Sequence, residues 1–167
     1  MKSTSPNSND SQNDPQVERL LAALKRPNEQ QRDRASAALW HLWFHQKGVY
    51  GARQLMQAQT LIEGGLVDEA ESLLSELTMA QSDFAEAWNR RAVLRYMNGD
   101  YWQAIADCQK TIELVPYHFG ALHGLGLCHA AIGNYTAAIQ AFRQALDVQP
   151  YALTNQRMIL ECTAQLE

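Results

Sequence analysis

From Phe84 onward, apolar residues recur at intervals of three and four, the spacing of one face of an α-helix. Phe84, Ala87, Trp88, Ala92 and Val93 form a first stripe that runs to Met97, where Asn98-Gly99-Asp100 interrupts it. Glycine readily takes the left-handed conformation just past a helix end, so the break reads as a turn between two helices. Tyr101, Ala104, Ile105, Cys108 and Ile112 then form a second stripe, which ends before Pro116 because proline excludes its predecessor from the helical region. The same plan follows: Leu122, Leu125, Gly126 and Ala130, a break at Asn134, then Tyr135, Ala138, Ile139, Phe142 and Leu146 up to Pro150.

The two helix pairs are copies. Gly65, Gly99 and Gly133 lie 34 residues apart, as do Ala70, Ala104 and Ala138. Pro116 and Pro150, Tyr101 and Tyr135, Ile105 and Ile139, and Ala87 and Ala121 keep that interval, and Ala58, Ala92 and Gly126 add a further column of small residues. Small side chains let two helix backbones approach closely, which places Ala92 against Ala104 and Gly126 against Ala138. The spacing therefore divides the chain into units at 51–84 (divergent, with Gln54 in the column of Trp88 and Ser82 in that of Pro116), 85–118 and 119–152. Leu153 to Leu166 is expected to form a closing helix within 153–167, covering the last apolar face. Residues 1–16 are expected to be a disordered leader, and 17–50 a helical extension. In that extension, Asp14-Pro15 launches a helix over Val17 to Arg26, and Pro27-Asn28 starts a longer one that runs through Lys47 and stops at Gly48.

Trp88, Ala92, Gly99, Tyr101, Ala104 and Pro116, within AEAWNRRAVLRYMNGDYWQAIADCQKTIELVP, resemble the tetratricopeptide repeat. Phe119 to Ala152 is a second match and Gly51 to Phe84 a weaker third, so the resemblance covers about two thirds of the chain. The phrases FAEAWNRRA and HFGALHGLGL, with the Trp-containing amino-terminal helix, also resemble a small bacterial tetratricopeptide family to which no activity is attached. The resemblance implies an all-α, three-unit, right-handed superhelical solenoid with an amino-terminal helical extension and a carboxy-terminal capping helix. It also implies a concave groove lined by the first helix of each unit. The matching positions are Glu86, Asn89, Arg90, Val93, Tyr96 and Met97, then His123, Leu127, Ala130 and Ala131. An Arg guanidinium forks onto carboxylates and an Asn amide pairs with peptide backbone, so Arg90 and Asn89 are the expected ligand contacts, replaceable by Ala without loss of stability. The chaperone-tail variety of the family grips a terminal carboxylate with Lys, Asn and Arg from successive units. Here those columns hold Leu55, Met56 and Gln59, and then His123, Gly124 and Leu127, so that ligand is not carried over.

Composition narrows the chemistry. The 167 residues are 46% hydrophobic and 19% charged, with a net charge of -4, which gives no electrostatic footprint for nucleic acid or anionic lipid. No apolar run approaches the roughly 18 residues of a membrane span. Three cysteines without a CxxC pair, Cys108, Cys128 and Cys162, fit a reducing compartment, and a cytoplasmic location is expected. GxSxG, HExxH and GxxxxGK[ST] are absent, so neither an enzyme nor a cofactor is expected. Cys128 beside His129 and His123 is the one nucleophile arrangement, set on a packed helix where thiols are inert. His41 and His45 share a helix face in two-ligand geometry, too few for tight zinc binding, so no metal site is assigned.

Arg91 stands in the column of Leu125 and shares a face with Arg95, which calls for an acid between them; Asp107 is the expected partner. Unit 51–84 carries Arg53 against Glu63, Asp68, Glu69, Glu71, Glu76 and Asp83, an acidic surface that could meet a basic partner. The expected function is non-catalytic binding of a peptide segment or helix of another protein. The alternative is a homo-oligomer joined through Trp40, Trp43 and Phe44, although folding of that helix onto the first unit fits the need for a cap at both ends.

Overall fold

The computed structural model describes residues 14–167; residues 1–13, most of the expected leader, lie outside that range. The described residues form nine helices: α1 (Pro15–Leu24), α2 (Glu29–Phe44), α3 (Gly48–Glu63), α4 (Val67–Ala80), α5 (Ala85–Met97), α6 (Tyr101–Leu114), α7 (Phe119–Ala131), α8 (Tyr135–Val148) and α9 (Leu153–Ala164). The fold is all-α, with α3/α4, α5/α6 and α7/α8 packed as successive antiparallel pairs and α9 closing the last of them.

The columns of glycine have one geometry. Gly65, Gly99 and Gly133 lie at φ +75°, +85° and +77°, a region in which any side chain is strained. Each sits one residue before a backbone N–H that reaches back into the preceding helix: Leu66 to the Leu61 carbonyl at 2.9 Å, Asp100 to Arg95 at 2.8 Å, and Asn134 to His129 at 2.9 Å. The glycine N–H groups donate to Ile62, Tyr96 and Ala130. These paired bonds satisfy carbonyls that a helix end otherwise leaves bare, and they set the same reversal three times.

Alternation of the helices fixes which of them face inward. α5 touches both α3 and α7, whereas no comparable contact joins α4 to α6 or α6 to α8, so α3, α5 and α7 line the inner side of the curve. Within a pair, small residues admit large ones. A methyl group at Gly126 would lie 2.5 Å from Cε1 of Phe142, so it is the Phe142 ring that uses the room expected for Ala138. The matching columns hold Ala92 with Cys108 and Ala58 with Leu74, small volume against larger volume in each unit.

The amino-terminal hairpin departs from expectation. Asn28 caps α2 by accepting from the Gln31 N–H at 2.9 Å, but α2 ends at Phe44, and Gly48, at φ +64°, opens α3 instead of stopping α2. α2 does not cover the outer end of the first unit. Its buried residues Ala35, Leu39 and Trp43 join Val17 and Leu24 of α1 and pack on Phe119, with Val115, Tyr117 and Val148 alongside. Gln149 donates to Ser36 at 3.0 Å, and Arg32 stacks over Tyr151 at 4.2 Å. With sixteen residues, α2 is about 24 Å long, enough to cross two inner helices spaced by about 9 Å. It crosses the first turns of α5 and α7.

Candidate functional site

Glu86, in the first turn of α5, is wholly buried where the sequence placed it in an open groove. Three neighbours hold it. Arg90 Nε donates to Oε1 at 2.7 Å, Asn89 Nδ2 to Oε2 at 3.3 Å, and His118 Nε2 lies 3.1 Å from Oε2. His118 Nδ1 accepts the Ala121 N–H at 3.1 Å, capping α7, so the ring is fixed with its proton on Nε2 and donates to Glu86. Trp43 closes the site from above, stacked on His118 at 4.0 Å, with Trp40 edge-on at 5.3 Å. Gly120 makes room for that ring: a Cβ there would meet Trp40 Cη2 at 2.5 Å.

Two sequence-based assignments are corrected by these contacts. Glu86 and Asn89 are both buried and have no surface to offer a ligand, while the half-buried Arg90 is committed to Glu86 and lies 5.7 Å from the Phe44 ring. Trp43 is 5% exposed and Trp40 and Phe44 are partly covered within the chain, so they form no ready-made joint between copies. The physical reason is common to both: aromatic residues of α2 and a buried carboxylate of α5 complete each other.

Away from α2, the inner face is open and apolar. Val93 is 48% and Met97 68% exposed, in the last two turns of α5. Tyr96 is half-buried against Tyr101, ring centroids 5.6 Å apart. On α7, Leu127 and Ala130 are partly exposed while packing on the Ala138, Ile139 and Phe142 cluster, and Ala131 is exposed. His123 is partly buried and paired with Asn155 of α9 at 2.7 Å, so it contributes to the joint between units.

Arg91 is a structural residue. Its Nε and Nη2 fork onto both oxygens of Asp107, each at 2.8 Å, and Nη1 donates to Ser75 at 3.1 Å. Arg95 bridges Asp107 at 2.9 Å and Glu71 at 2.7 Å, so α4, α5 and α6 meet through one polar network. Asp107, at 2% exposure, separates the two guanidinium groups as the spacing required.

His41 and His45 stack at 4.1 Å, and His45 Nδ1 donates to the His41 carbonyl at 3.0 Å, which removes that nitrogen as a ligand. Among the described residues, no three His, Cys, Asp or Glu side chains are grouped to hold a metal. Cys108 and Cys128 are 2% and 1% exposed. The hydrogen bond between them, together with burial, pushes the Cys108 thiol up; the same bond lowers Cys128 against the effect of its own burial. Among the described residues, no helix is long and apolar enough to cross a membrane.

Antiparallel helix pairs repeated at a fixed interval, with an apolar inner face, define a helical solenoid of the protein-binding type. A tetratricopeptide repeat family model matches residues 83–150. A TPR repeat-containing protein of Rhizobium etli is 30% identical over 144 residues, which cover 86% of this chain and 71% of that protein. The human Protein SGT1 homolog is 36% identical over 90 residues, 50% of this chain and 25% of that protein. Among solved structures, the first TPR of Spaghetti (RPAP3), bound to the HSP90 peptide SRMEEVD, has a TM-score of 0.66 at 16% identity, covering 69% of this chain and 91% of that chain. The MamA protein has a TM-score of 0.65 at 19% identity, covering 90% of this chain and 82% of that chain. The chain belongs to the tetratricopeptide repeat proteins, protein–protein interaction modules whose fold is typically non-catalytic.

Proposed function

We propose that this chain binds a segment of another protein on the uncovered part of its inner face, through Val93, Tyr96, Met97, Leu127 and Ala130, without catalysing a reaction. One observation carries this reading: Val93 and Met97 hold apolar surface in water on the inner side of the array, at 48% and 68% exposure, where Glu86 and Asn89 are buried and Arg90 is paired with Glu86. A preformed, rigid apolar strip lowers the ordering cost of docking a peptide or helix. The chemistry favours apolar anchors in the partner. A terminal carboxylate such as that of the HSP90 peptide on the Spaghetti neighbour finds no free Asn89 here, and Arg90 is engaged with Glu86. The remaining Arg90 surface and the exposed Gln59, 3.5 Å from Arg90 Nη1, form the polar rim.

The test replaces Val93 and Met97 by Asp together and compares proteins co-purified from native lysate, with Met79→Asp as a control on α4, where Met79 is 84% exposed. The double variant is expected to keep its melting temperature within about 2 °C and to lose the bound protein, as exposed positions away from structural contacts tolerate change. Retention of the same partner by the double variant contradicts the assignment.

A further inference from the structure

The outer end of the first unit is unfinished, and the rest of the array states what belongs there. A cleft of about 760 Å³ lies along α3, floored by Val49, Ala52, Met56 and Leu61, with His45 and Arg53 at its rim. Val49 is 76% and Met56 62% exposed. The cleft continues over Gln57, Leu61 and Leu73 to a wall formed by Asp68, Glu69 and Glu76 of α4. None of those three carboxylates forms an ion pair among the described residues.

Gln57, Leu61 and Leu73 have column mates 34 residues on, Arg91, Arg95 and Asp107, and a further 34 on, Leu125, His129 and Ala141. In both later units a helix of the preceding pair covers that surface. α4 covers Arg91, Arg95 and Asp107, presenting Ser75 and Glu71; α6 covers the third unit, presenting Ile105 to Leu125. The internal interfaces are also chemically matched: basic surface receives an acid, and apolar surface receives Ile105. At the first unit the hairpin that precedes α3 is turned away to α7 and the α8–α9 link, so among the described residues no preceding helix covers this surface and only His45 reaches its rim.

We infer that this end is a second docking surface, bordering the inner face at Met56 in the column of Arg90 but distinct from the strip of Val93 and Met97, for an amphipathic helix of a partner protein that carries a Leu-type apolar stripe and a Lys/Arg edge. The apolar stripe lies on Val49, Met56, Leu61 and Leu73, and the basic edge meets Asp68, Glu69 and Glu76. Arg53 at the opposite rim fixes orientation, since a segment basic on both edges would set a like charge against it. Docking there completes the array as α4 completes the second unit.

The probe is a synthetic helical peptide of about eighteen residues with Leu at i, i+3, i+4 and i+7 and Lys along one flank. Controls are the same pattern with Glu for Lys and a scrambled Leu/Lys sequence. Fluorescence anisotropy is expected to show saturable binding of the Leu/Lys helix alone. Glu69→Lys with Glu76→Lys should weaken it by about tenfold, the loss of two surface attractions. Met56→Asp should abolish it, and Val93→Asp with Met97→Asp should leave it unchanged. Equal binding of the Glu peptide or of the scrambled peptide, or no effect of the charge reversals, overturns the inference. So does sedimentation equilibrium showing that the chain pairs with itself through this end and that Met56→Asp returns it to monomer, because the occupant is then a second copy.

Discussion

Glu86 is where a single residue changes the interpretation of its neighbours. A carboxylate removed from water loses far more than an exposed ion pair gains, so its partners have to be present with good geometry. Arg90, Asn89 and His118 are those partners, and each is spent on the fold. Arg90→Ala is therefore expected to lower unfolding free energy by roughly 2–3 kcal/mol, against the near-neutral effect that an exposed ligand-contact residue would show. In a Glu86→Gln background the same change should cost less than about 1 kcal/mol, because no buried charge is left behind. Urea titration of the four proteins of this cycle measures the coupling; equal costs in both backgrounds would show that Glu86 does not depend on Arg90. Sequence reading reached Arg91 and Asp107 because an odd charge in an apolar column demands an acid nearby. It missed Glu86, because the lid over it comes from Trp43, 43 positions upstream, and no periodicity links the two. The one available signal was His118, directly before a helix, a capping position whose second nitrogen then needs a partner.

Elements obey the 34-residue rule through volumes as much as through residue types. Gly126 admits Phe142, where the first unit has Ala58 with Leu74. Gly126→Ala drives a methyl group into the ring and is expected to destabilise by about 1–3 kcal/mol. Adding Phe142→Leu recreates the first unit's pair and should recover most of that loss, a rescue that thermal melting detects; a double variant less stable than either single variant would refute the volume argument. Helix pairs, turns at Gly65, Gly99 and Gly133, and the closing helix were all readable, since each is set by local spacing. Bounds at the hairpin were not. Gly48 reads as a stop signal, yet at φ +64° it starts α3, because the turn over His45, Gln46 and Lys47 is already closed by its own N–H bond to His45 at 2.9 Å. The destination of α2 was equally illegible, resting on contacts such as Ser36 with Gln149 and Trp40 with Gly120 that join distant parts of the chain.

Taken as a whole molecule, the array spends its N-terminal hairpin on one edge of its own inner face and leaves apolar surface in water on the strip of Val93 and Met97 and in the cleft at Val49 and Met56. Neither charge nor composition identifies them, because a net charge of -4 spread over 167 residues says little about where each side chain lies. Only the packing separates apolar positions used in the core from those left outside. The inner strip is the central claim. Its most direct measurement places a photocrosslinking amino acid at Met97 in one chain and at Met79 in another, and irradiates cells expressing each. The account predicts a discrete crosslinked product with another protein from position 97 and none from position 79; the same products from both positions, or none from position 97, would contradict it.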